Sequence, residues 1–183
     1  MSNEVRLIAG KWRRRKLTFP NLVDLRPSSD RVRETLFNWL QDVIPESKCL
    51  DLFAGSGALG LETLSRGAEH VTFVDKHPQV IQALKNNIHL LGAKNVEVYC
   101  EDAFQWLARC RHCYDIVFVD PPFRQNFVFE VLNQLAEHQY ILSPHCWIYV
   151  ETDIKMPLAT PGNLSLVKQG HTTQVTYQLF NKT

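Results

Sequence analysis

The sequence lacks several features that would place it in a specialised class of protein. No apolar run reaches the roughly 20 residues that a membrane-spanning helix needs, and the first residues lack the apolar core of a signal peptide. The five cysteines are odd in number and lie mostly in apolar stretches, which favours reduced thiols over a disulfide framework. No internal repeat or low-complexity tract is present. We therefore expect a cytoplasmic protein of one main domain, without a membrane anchor.

The sequence also offers little that would bind a metal ion. Cys110 and Cys113 form a single C-x-x-C pair, with His112 between them. A structural zinc site needs a second pair of ligands. We therefore expect no metal.

Charge is nearly balanced over the 183 residues, at +1, but it is unevenly distributed. Residues 1–33 contain nine lysines and arginines against three acids, a net charge of +6, whereas the remaining residues contain eleven against sixteen, a net charge of −5. A basic segment on an acidic body predicts contact with a polyanion such as nucleic acid. A solvated, charged hairpin would have the same composition and is the alternative.

The order of the apolar segments predicts a mostly parallel α/β sheet. Residues 5–9 and 16–19 flank a basic turn and predict a β-hairpin. We expect Asp30 to cap a helix, after which helices alternate with strands. The strands are predicted at about residues 49–53, 71–74, 96–100, 114–119 and 146–150, with a final hairpin at about 164–168 and 174–180. The chain thus divides into a basic hairpin arm, residues 1–27, and an α/β domain, residues 28–183.

Acids and glycines follow the first four strands of the predicted sheet. Ligands of open α/β sheets bind at the carboxyl ends of the strands, so these residues are expected to share one site. They are Asp51 with Gly55 and Gly57, then Asp75, Asp102 and Asp120.

The glycine loop allows two interpretations. Gly55-Ser56-Gly57-Ala58-Leu59-Gly60 matches the G-x-G-x-x-G pattern of dinucleotide-binding proteins, and Asp75 lies 20 residues after Gly55. Asp51, however, would repel a pyrophosphate at the helix N-terminus and suits an ammonium group. S-adenosylmethionine carries an α-amino group and no phosphate, so the sequence favours this cofactor.

The other acids have matching roles in that interpretation. Asp75 would accept hydrogen bonds from the ribose hydroxyls, and Asp102 with the backbone N–H of Ala103 would bind the adenine. Phe53 and Lys76 are expected to line the site. Taken singly, each acid could instead be a helix cap or part of a solvated turn. For Asp102, a helix cap and an adenine contact are equally supported.

Asp120-Pro121-Pro122-Phe123 ends the most apolar predicted strand, and we expect it to be catalytic. Two prolines stop the strand ladder, so the Asp120 carboxylate and the Pro121 carbonyl would point into the site. These two acceptors suit a planar amino group, whose two hydrogens they would bind, and whose lone pair they would aim at the methyl group. Asp120 would also accept the departing proton, and Phe123 would stack on the base. A simple Asx-Pro turn is the alternative.

An exocyclic amine inside a duplex is inaccessible, so the target base would be single-stranded or flipped. The basic hairpin fits such a substrate, and its tip supplies the predicted phosphate contacts: Lys11, Arg13, Arg14, Arg15 and Lys16. Trp12 either stacks on a base or packs onto the sheet, with equal weight.

The chain resembles the bacterial RsmD family of methyltransferases over nearly its whole length. The resemblance rests on Ile8-Ala9-Gly10, Arg15-Lys16-Leu17, the stretch LRPSSDRVRETLFNWL at residues 25–40, residues 51–57 and the Asp120–Phe123 corner. Family members often have two threonines where Ser28-Ser29 stands. The resemblance implies a class I S-adenosylmethionine-dependent methyltransferase fold, Rossmann-like. Its sheet would have seven strands, mostly parallel with the last antiparallel, and helices on both faces.

The same resemblance implies an activity and a partner. It implies methylation of the N2 amino group of a guanine in small-subunit (16S) ribosomal RNA, within the small subunit or an assembly intermediate. Nothing in the sequence suggests an obligate partner surface, so we expect a monomer. The resemblance also implies RNA contacts from Arg26, Arg31 and Arg33, although Arg33 and Glu34 are alternatively expected to pair within the fold.

Three other functions remain to be distinguished. Methyltransferases of DNA adenine or of protein glutamine more often carry Asn in place of Asp120 and have a larger recognition domain. A nicotinamide-dependent oxidoreductase conflicts with Asp51 and with the Asp-Pro-Pro-Phe corner. A catalytically silent RNA-binding module would not depend on Asp120.

Overall fold

The computed structural model describes residues 2–21, 29–121, 127–153 and 162–182. Within them lie nine strands and five α-helices. The strands are β1 Ser2–Arg6, β2 Lys16–Pro20, β3 Lys48–Asp51, β4 His70–Asp75, β5 Val96–Cys100, β6 Tyr114–Val119, β7 Leu142–Asp153, β8 Leu164–His171 and β9 Val175–Lys182. The helices are α1 Asp30–Trp39, α2 Ala58–Ser65, α3 Pro78–Leu91, α4 Ala103–Arg109 and α5 Phe127–Glu137.

Seven strands form one sheet in the order β5-β4-β3-β6-β7-β9-β8. The first five are mutually parallel, and β9 runs antiparallel between β7 and β8. The seven-stranded, mostly parallel sheet is therefore confirmed. The chain leaves β3 toward β4 and β5 and later returns to place β6 on the other side of β3, which makes the β3/β6 boundary the switch point where ligands bind.

Two apolar cores cover the two faces of the sheet. Alternate residues of the central strand β6 point into different cores: Phe118 joins the core under α1 and α2, whereas Val117 and Val119 join the core under α4 and α5. This alternation follows from the two-residue repeat of a strand. It explains why β6 is apolar from Ile116 to Val119, and it confirms the prediction of helices on both faces.

β1 and β2 form the predicted antiparallel hairpin, and the hairpin packs along α2 and α3. Leu7, Leu17 and Phe19 are buried in the same core as α1 and α2. The Glu62 carboxylate of α2 accepts hydrogen bonds from the backbone N–H groups of Ile8 at 2.7 Å and Ala9 at 2.9 Å. These contacts join residues 54 and 53 positions apart, so the hairpin is fixed by tertiary contacts.

Asn87 of α3 forms two hydrogen bonds with the backbone of hairpin strand β2, as a neighbouring strand would. Its side-chain carbonyl accepts from the Thr18 N–H at 3.1 Å, and its amide donates to the Thr18 carbonyl at 2.9 Å. Asn87 is buried, and the pair of bonds satisfies its polar atoms as burial requires.

The hairpin tip is a short 3-10 helix, Gly10–Trp12, pressed against the end of α2. Gly10 has φ +75°, and a Cβ there would overlap the Ser65 carbonyl oxygen. The Ser65 hydroxyl donates to the Ala9 carbonyl at 2.6 Å and accepts from the Trp12 N–H at 2.9 Å. The tip therefore has a defined position against the main domain.

The prediction that Asp30 caps α1 is wrong by one residue. Ser29 is the N-cap, and its hydroxyl accepts from the Val32 N–H at 3.3 Å. Asp30 instead occupies the first helical position, where a carboxylate interacts favourably with the helix dipole, and it bonds Arg33 at 2.7 Å.

No helix among the described residues has both the length and the apolar character needed to cross a bilayer. The five cysteines are all described, and none forms a disulfide.

Candidate active site

Four predicted acids lie along the carboxyl edge of the sheet because their strands are neighbours in register. Asp51 of β3 pairs with Phe118 of β6 on one side and with Phe73 of β4 on the other. Asp120 and Asp75 each lie two residues beyond those partners, and Asp75 in turn pairs with Cys100, two residues before Asp102. The sheet thus brings Asp51, Asp75, Asp102 and Asp120 to one edge, on four adjacent strands.

Asp51 is a buried carboxylate at the N-terminus of α2. Its side chain is 2 % exposed, and its Oδ2 accepts from the Gly60 N–H at 3.0 Å. Burial raises the pKa of Asp51 to about 7, the Gly60 bond opposes the rise, and the charge of Asp75 adds to it. A carboxylate in this state is stabilised by a cation, and it already occupies a helix N-terminal donor that a pyrophosphate would use.

The glycine loop is held between Asp51 and Asp75. Gly57 is the N-cap of α2 with φ +76°, a conformation that favours glycine, and the Gly55 N–H donates to Asp75 Oδ2 at 3.0 Å. Asp75 Oδ1 accepts from the His77 N–H at 2.9 Å. His77 Nδ1 also lies 3.3 Å from Oδ1. A carboxylate has about four acceptor positions, so these three contacts orient Asp75 and leave one position for a hydroxyl group. Lys76 is exposed beside it.

Asp102 caps α4, which was one of the two alternatives predicted for it. Its Oδ1 accepts from the N–H groups of Phe104 at 3.0 Å and Gln105 at 3.3 Å, and Ala103, the first helical residue, is buried. The cap does not exclude a ligand contact, because only Oδ1 takes part in these bonds.

An aromatic cluster lies beside these acids, and two of its three residues were not predicted from the sequence. The rings of Phe53 and Phe127 are 5.8 Å apart, and those of Phe104 and Phe127 are 5.0 Å apart, both edge to face. All three side chains are half-buried. Phe53 was predicted to line the site; nothing local could have linked it to Phe127, which is 74 residues away.

The proposed catalytic corner begins at the end of β6. Asp120 is partly exposed and Pro121 is buried, whereas Pro122 and Phe123 lie outside the described residues. Among the described residues, no three histidine, cysteine, aspartate or glutamate side chains are grouped as a metal site would need.

Comparison with known proteins identifies the family. The family model described as Conserved hypothetical protein 95 matches residues 5–181. Ribosomal RNA small subunit methyltransferase D of Escherichia coli K12 is 45 % identical over 182 residues, covering 99 % of this chain and 91 % of the relative. The chain belongs to this family, the RsmD family. The Haemophilus influenzae protein of the same name is also 45 % identical, over 97 % of this chain and 93 % of its own.

A solved structure described as a putative methyltransferase has the same fold. The protein yhhF from Escherichia coli superimposes with a TM-score of 0.91 at 44 % identity, covering 98 % of both chains. The class I methyltransferase fold, expected from the resemblance, is confirmed.

The basic tip, which carries one of the RsmD-family motifs, is exposed. Lys11, Arg13, Arg14, Arg15 and Lys16 are all exposed. Arg15 donates to the Leu90 carbonyl at 3.2 Å, Lys16 pairs with Glu4 at 2.7 Å, and Lys11 lies 5.5 Å from the centroid of the Trp12 ring. Trp12 is half-buried against the core, so it packs onto the domain while part of its ring stays accessible.

Arg14 has an unusual backbone. Its φ of +69° is rare for a residue other than glycine, and its N–H donates to the Leu7 carbonyl at 2.9 Å. Such strain costs on the order of 1 kcal/mol and is found preferentially at functional sites.

The three arginines around the start of α1 differ in position. Arg26 lies outside the described residues, and Arg31 is exposed. Arg33 is fully buried, and its Nη2 donates to the Arg6 carbonyl at 2.9 Å and to Asp30. A buried guanidinium is not available to a phosphate, so the expected RNA contact of Arg33 is corrected: it links α1 to the hairpin. The alternative expectation, that Arg33 pairs within the fold, is therefore the one that the structure bears out.

Proposed function

We propose that this protein transfers a methyl group from S-adenosylmethionine to the N2 amino group of a guanine in small-subunit ribosomal RNA. The observation that carries the proposal is the buried Asp51 carboxylate next to Asp75, on the strand that neighbours Asp120. Family relatives named for ribosomal RNA small subunit methylation supply the substrate class.

The carboxylates and aromatic rings along the sheet edge fit this cofactor. Asp51 would hold the ammonium group, Asp75 the ribose hydroxyls, and the Phe53, Phe104 and Phe127 cluster offers an apolar surface to the adenine. Asp102, the Ala103 N–H and Lys76 remain the predicted contacts around it. When bound, the cofactor supplies a methyl group on a positively charged sulfur.

The corner would prepare the nucleophile. The Asp120 carboxylate and the Pro121 carbonyl bind the two amino hydrogens, which draws the nitrogen toward tetrahedral geometry and directs its lone pair. Asp120 takes the proton that leaves the amine. Pro122 and Phe123, which lie outside the described residues, keep their predicted roles in fixing the corner and stacking on the base.

The hairpin arm would bind the RNA away from the reacting base. Its tip lies at the C-terminal ends of α2 and α3, whereas the acids lie at the opposite edge, where those helices begin. α3 has 14 residues, which corresponds to roughly 20 Å at 1.5 Å per residue. An RNA that reaches both places is far larger than a nucleotide, which supports ribosomal RNA, free or within a subunit. Arg26 and Arg31 are the further proposed contacts.

Replacement of Asp120 tests the catalytic assignment. We expect Asp120→Ala to reduce methyl transfer to small subunits that lack the modification by about 100-fold or more, because positioning and proton acceptance are both lost. Binding of S-adenosylmethionine, measured by calorimetry, should change little.

Asp115→Ala is the matched control, because Asp115 lies on the same strand at the opposite end and accepts from the Lys48 N–H. It should keep its transfer activity. Unchanged transfer by Asp120→Ala would contradict the assignment of Asp120, whereas a wild-type protein that transfers no methyl group would favour a silent RNA-binding module.

A further inference from the structure

Glu151 lies on strand β7, beside the proposed catalytic corner, and the proposed reaction gives it no role. β6 and β7 are parallel, and Val119 pairs with Val150. The next residues along the two strands are Asp120 and Glu151, and neighbouring strands are about 4.8 Å apart. Glu151 is 3 % exposed, so a buried carboxylate lies next to Asp120, the residue that follows β6.

Tyr149 sets the orientation of Glu151. The Tyr149 hydroxyl donates to Glu151 Oε1 at 2.7 Å, which fixes the direction of the carboxylate. Residues two apart on a strand share a face, and this bond shows that Tyr149 and Glu151 do.

Asp120 faces the same group. The rings of Phe118 and Tyr149 are 6.3 Å apart, which places alternate residues of β6 and β7 on a common face. Burial raises the pKa of Tyr149 well above its usual value, and the charges of Glu151 and Asp120 add to the rise. Asp120, Tyr149 and Glu151 therefore form one polar group under the corner.

The chemistry of this group distinguishes guanine from the other bases with exocyclic amines. Guanine presents two adjacent donors on its Watson–Crick edge, the N2 amino group and N1–H. Adenine and cytosine present a ring-nitrogen acceptor next to the amino group, which a carboxylate would repel. The Asp120–Pro121 acceptor pair alone accepts any planar amine, so a second carboxylate beside it would supply the selection.

We infer that Glu151, oriented by Tyr149, accepts the N1–H of the target guanine and makes the enzyme specific for guanine. The inference rests on the proposed function, since it concerns the base whose N2 is methylated. It names a specificity residue 31 positions from Asp120 in the chain.

Replacement of the target base tests the inference. The methylated guanine is first mapped with the wild-type enzyme and then replaced by 2-aminopurine, by ligation, in small-subunit RNA. 2-Aminopurine keeps the amino group but has an acceptor at N1 and lacks the O6 carbonyl, and the comparison with the Glu151→Gln variant separates these two changes. We expect the wild-type kcat/KM to fall by about 100-fold or more on this RNA, because a site built to bind a donor rejects an analogue that lacks it.

The Glu151→Gln variant should weaken this preference. Its amide can turn an N–H toward the N1 acceptor, so the ratio of guanine to 2-aminopurine activity should fall to less than about 10. Glu97→Gln is the matched control, because Glu97 accepts from the Tyr99 hydroxyl, two residues away on edge strand β5. It should leave the ratio at its wild-type value.

The outcomes separate the two proposals. A ratio that Glu151→Gln leaves unchanged overturns the inference, because a purely structural role would lower both activities together. If Glu151→Gln does not fold, the wild-type ratio decides, and a value below about 5 overturns the inference, given the far stronger rejection expected of a hydrogen-bonding site. A wild-type enzyme that methylates no guanine N2 contradicts the proposed function itself.

Discussion

At the scale of single residues, Asp51 shows how a binding site opposes stability. Removing a carboxylate from water disfavours its charge, and the single Gly60 N–H does not compensate fully, which leaves its pKa near 7. The unfolded chain would hold an aspartate with an ordinary, lower pKa. Asp51 therefore binds a proton more tightly when the protein is folded, and a bound ammonium group would relieve the conflict.

The sign of this linkage gives a prediction for Asp51→Asn. Between about pH 4 and pH 7 the folded state holds a proton that the unfolded state has lost, so the contribution of Asp51 to stability falls as pH rises through this window. We expect Asp51→Asn to raise Tm relative to the wild type at pH 8 and to raise it less at pH 4. Affinity for S-adenosylmethionine should fall at least about 10-fold, because a charge-assisted bond is lost.

Differential scanning fluorimetry at the two pH values and calorimetry of cofactor binding would measure both effects. Asp42→Asn, at an exposed position, is the control and should change neither quantity. A Tm difference of the same size at both pH values would show that Asp51 does not titrate in this window. An unchanged cofactor affinity would remove Asp51 from the binding site.

The acids of the site were predictable because each follows a strand that the sequence marks locally. Glu62 and Asn87 were not, because their buried bonds reach backbone groups 53 to 69 residues away. Within a helical pattern these two residues look like solvated polar positions. Arg33 was misjudged for the same reason: charge suggests exposure, and only the packing of the hairpin against α1 buries it.

At the scale of elements, a boundary can be predicted from the sequence where local residues determine it, and cannot where pairing with a distant strand determines it. Helix α3 begins at Pro78 and ends before Gly92, and both ends are marked in the sequence, since proline at the first position and glycine after the last are local signals. Strand β7 was predicted at residues 146–150 but extends over Leu142–Asp153. The additional residues are held by pairing with β9 and with β6, which no local pattern reveals.

The buried side of the hairpin attaches it to the domain, and its exposed tip presents basic side chains. Its apolar side is fixed by the core and by Glu62, Ser65 and Asn87, whereas its tip displays a run of basic side chains. A fixed tip presents its charges without an ordering cost on binding, which favours affinity.

Arg13→Ala tests the tip as an RNA-binding element. Each phosphate contact that is removed should lower the slope of log K against log salt by about 1. We therefore expect weaker binding to small-subunit RNA and a smaller salt dependence, with unchanged Tm because Arg13 is exposed.

The control is Lys168→Ala, which removes one exposed positive charge from strand β8 at the far edge of the sheet. Filter binding between 50 and 200 mM salt would measure both slopes, the range over which such contacts are resolved. Equal slopes for the wild type and Arg13→Ala would show that this residue does not contact phosphate.

At the scale of the whole molecule, the sheet order explains how one chain combines the two tasks. The switch point between β3 and β6 brings the predicted cofactor acids and the corner to one edge, and the helices that start there carry the hairpin tip to the opposite edge. The sequence could predict the first arrangement, since parallel strands share their carboxyl edge. It could not predict where the hairpin lies, because that depends on contacts between distant segments.

The central claim is methylation of a guanine amine in small-subunit ribosomal RNA, and the identity of the product nucleoside tests it most directly. Small subunits that lack the modification would be incubated with the protein and methyl-labelled S-adenosylmethionine, and the RNA digested and analysed by chromatography and mass spectrometry. We predict that the label is found in N2-methylguanosine. Label on a ring carbon, on a ribose hydroxyl or on the amine of another base would contradict this account.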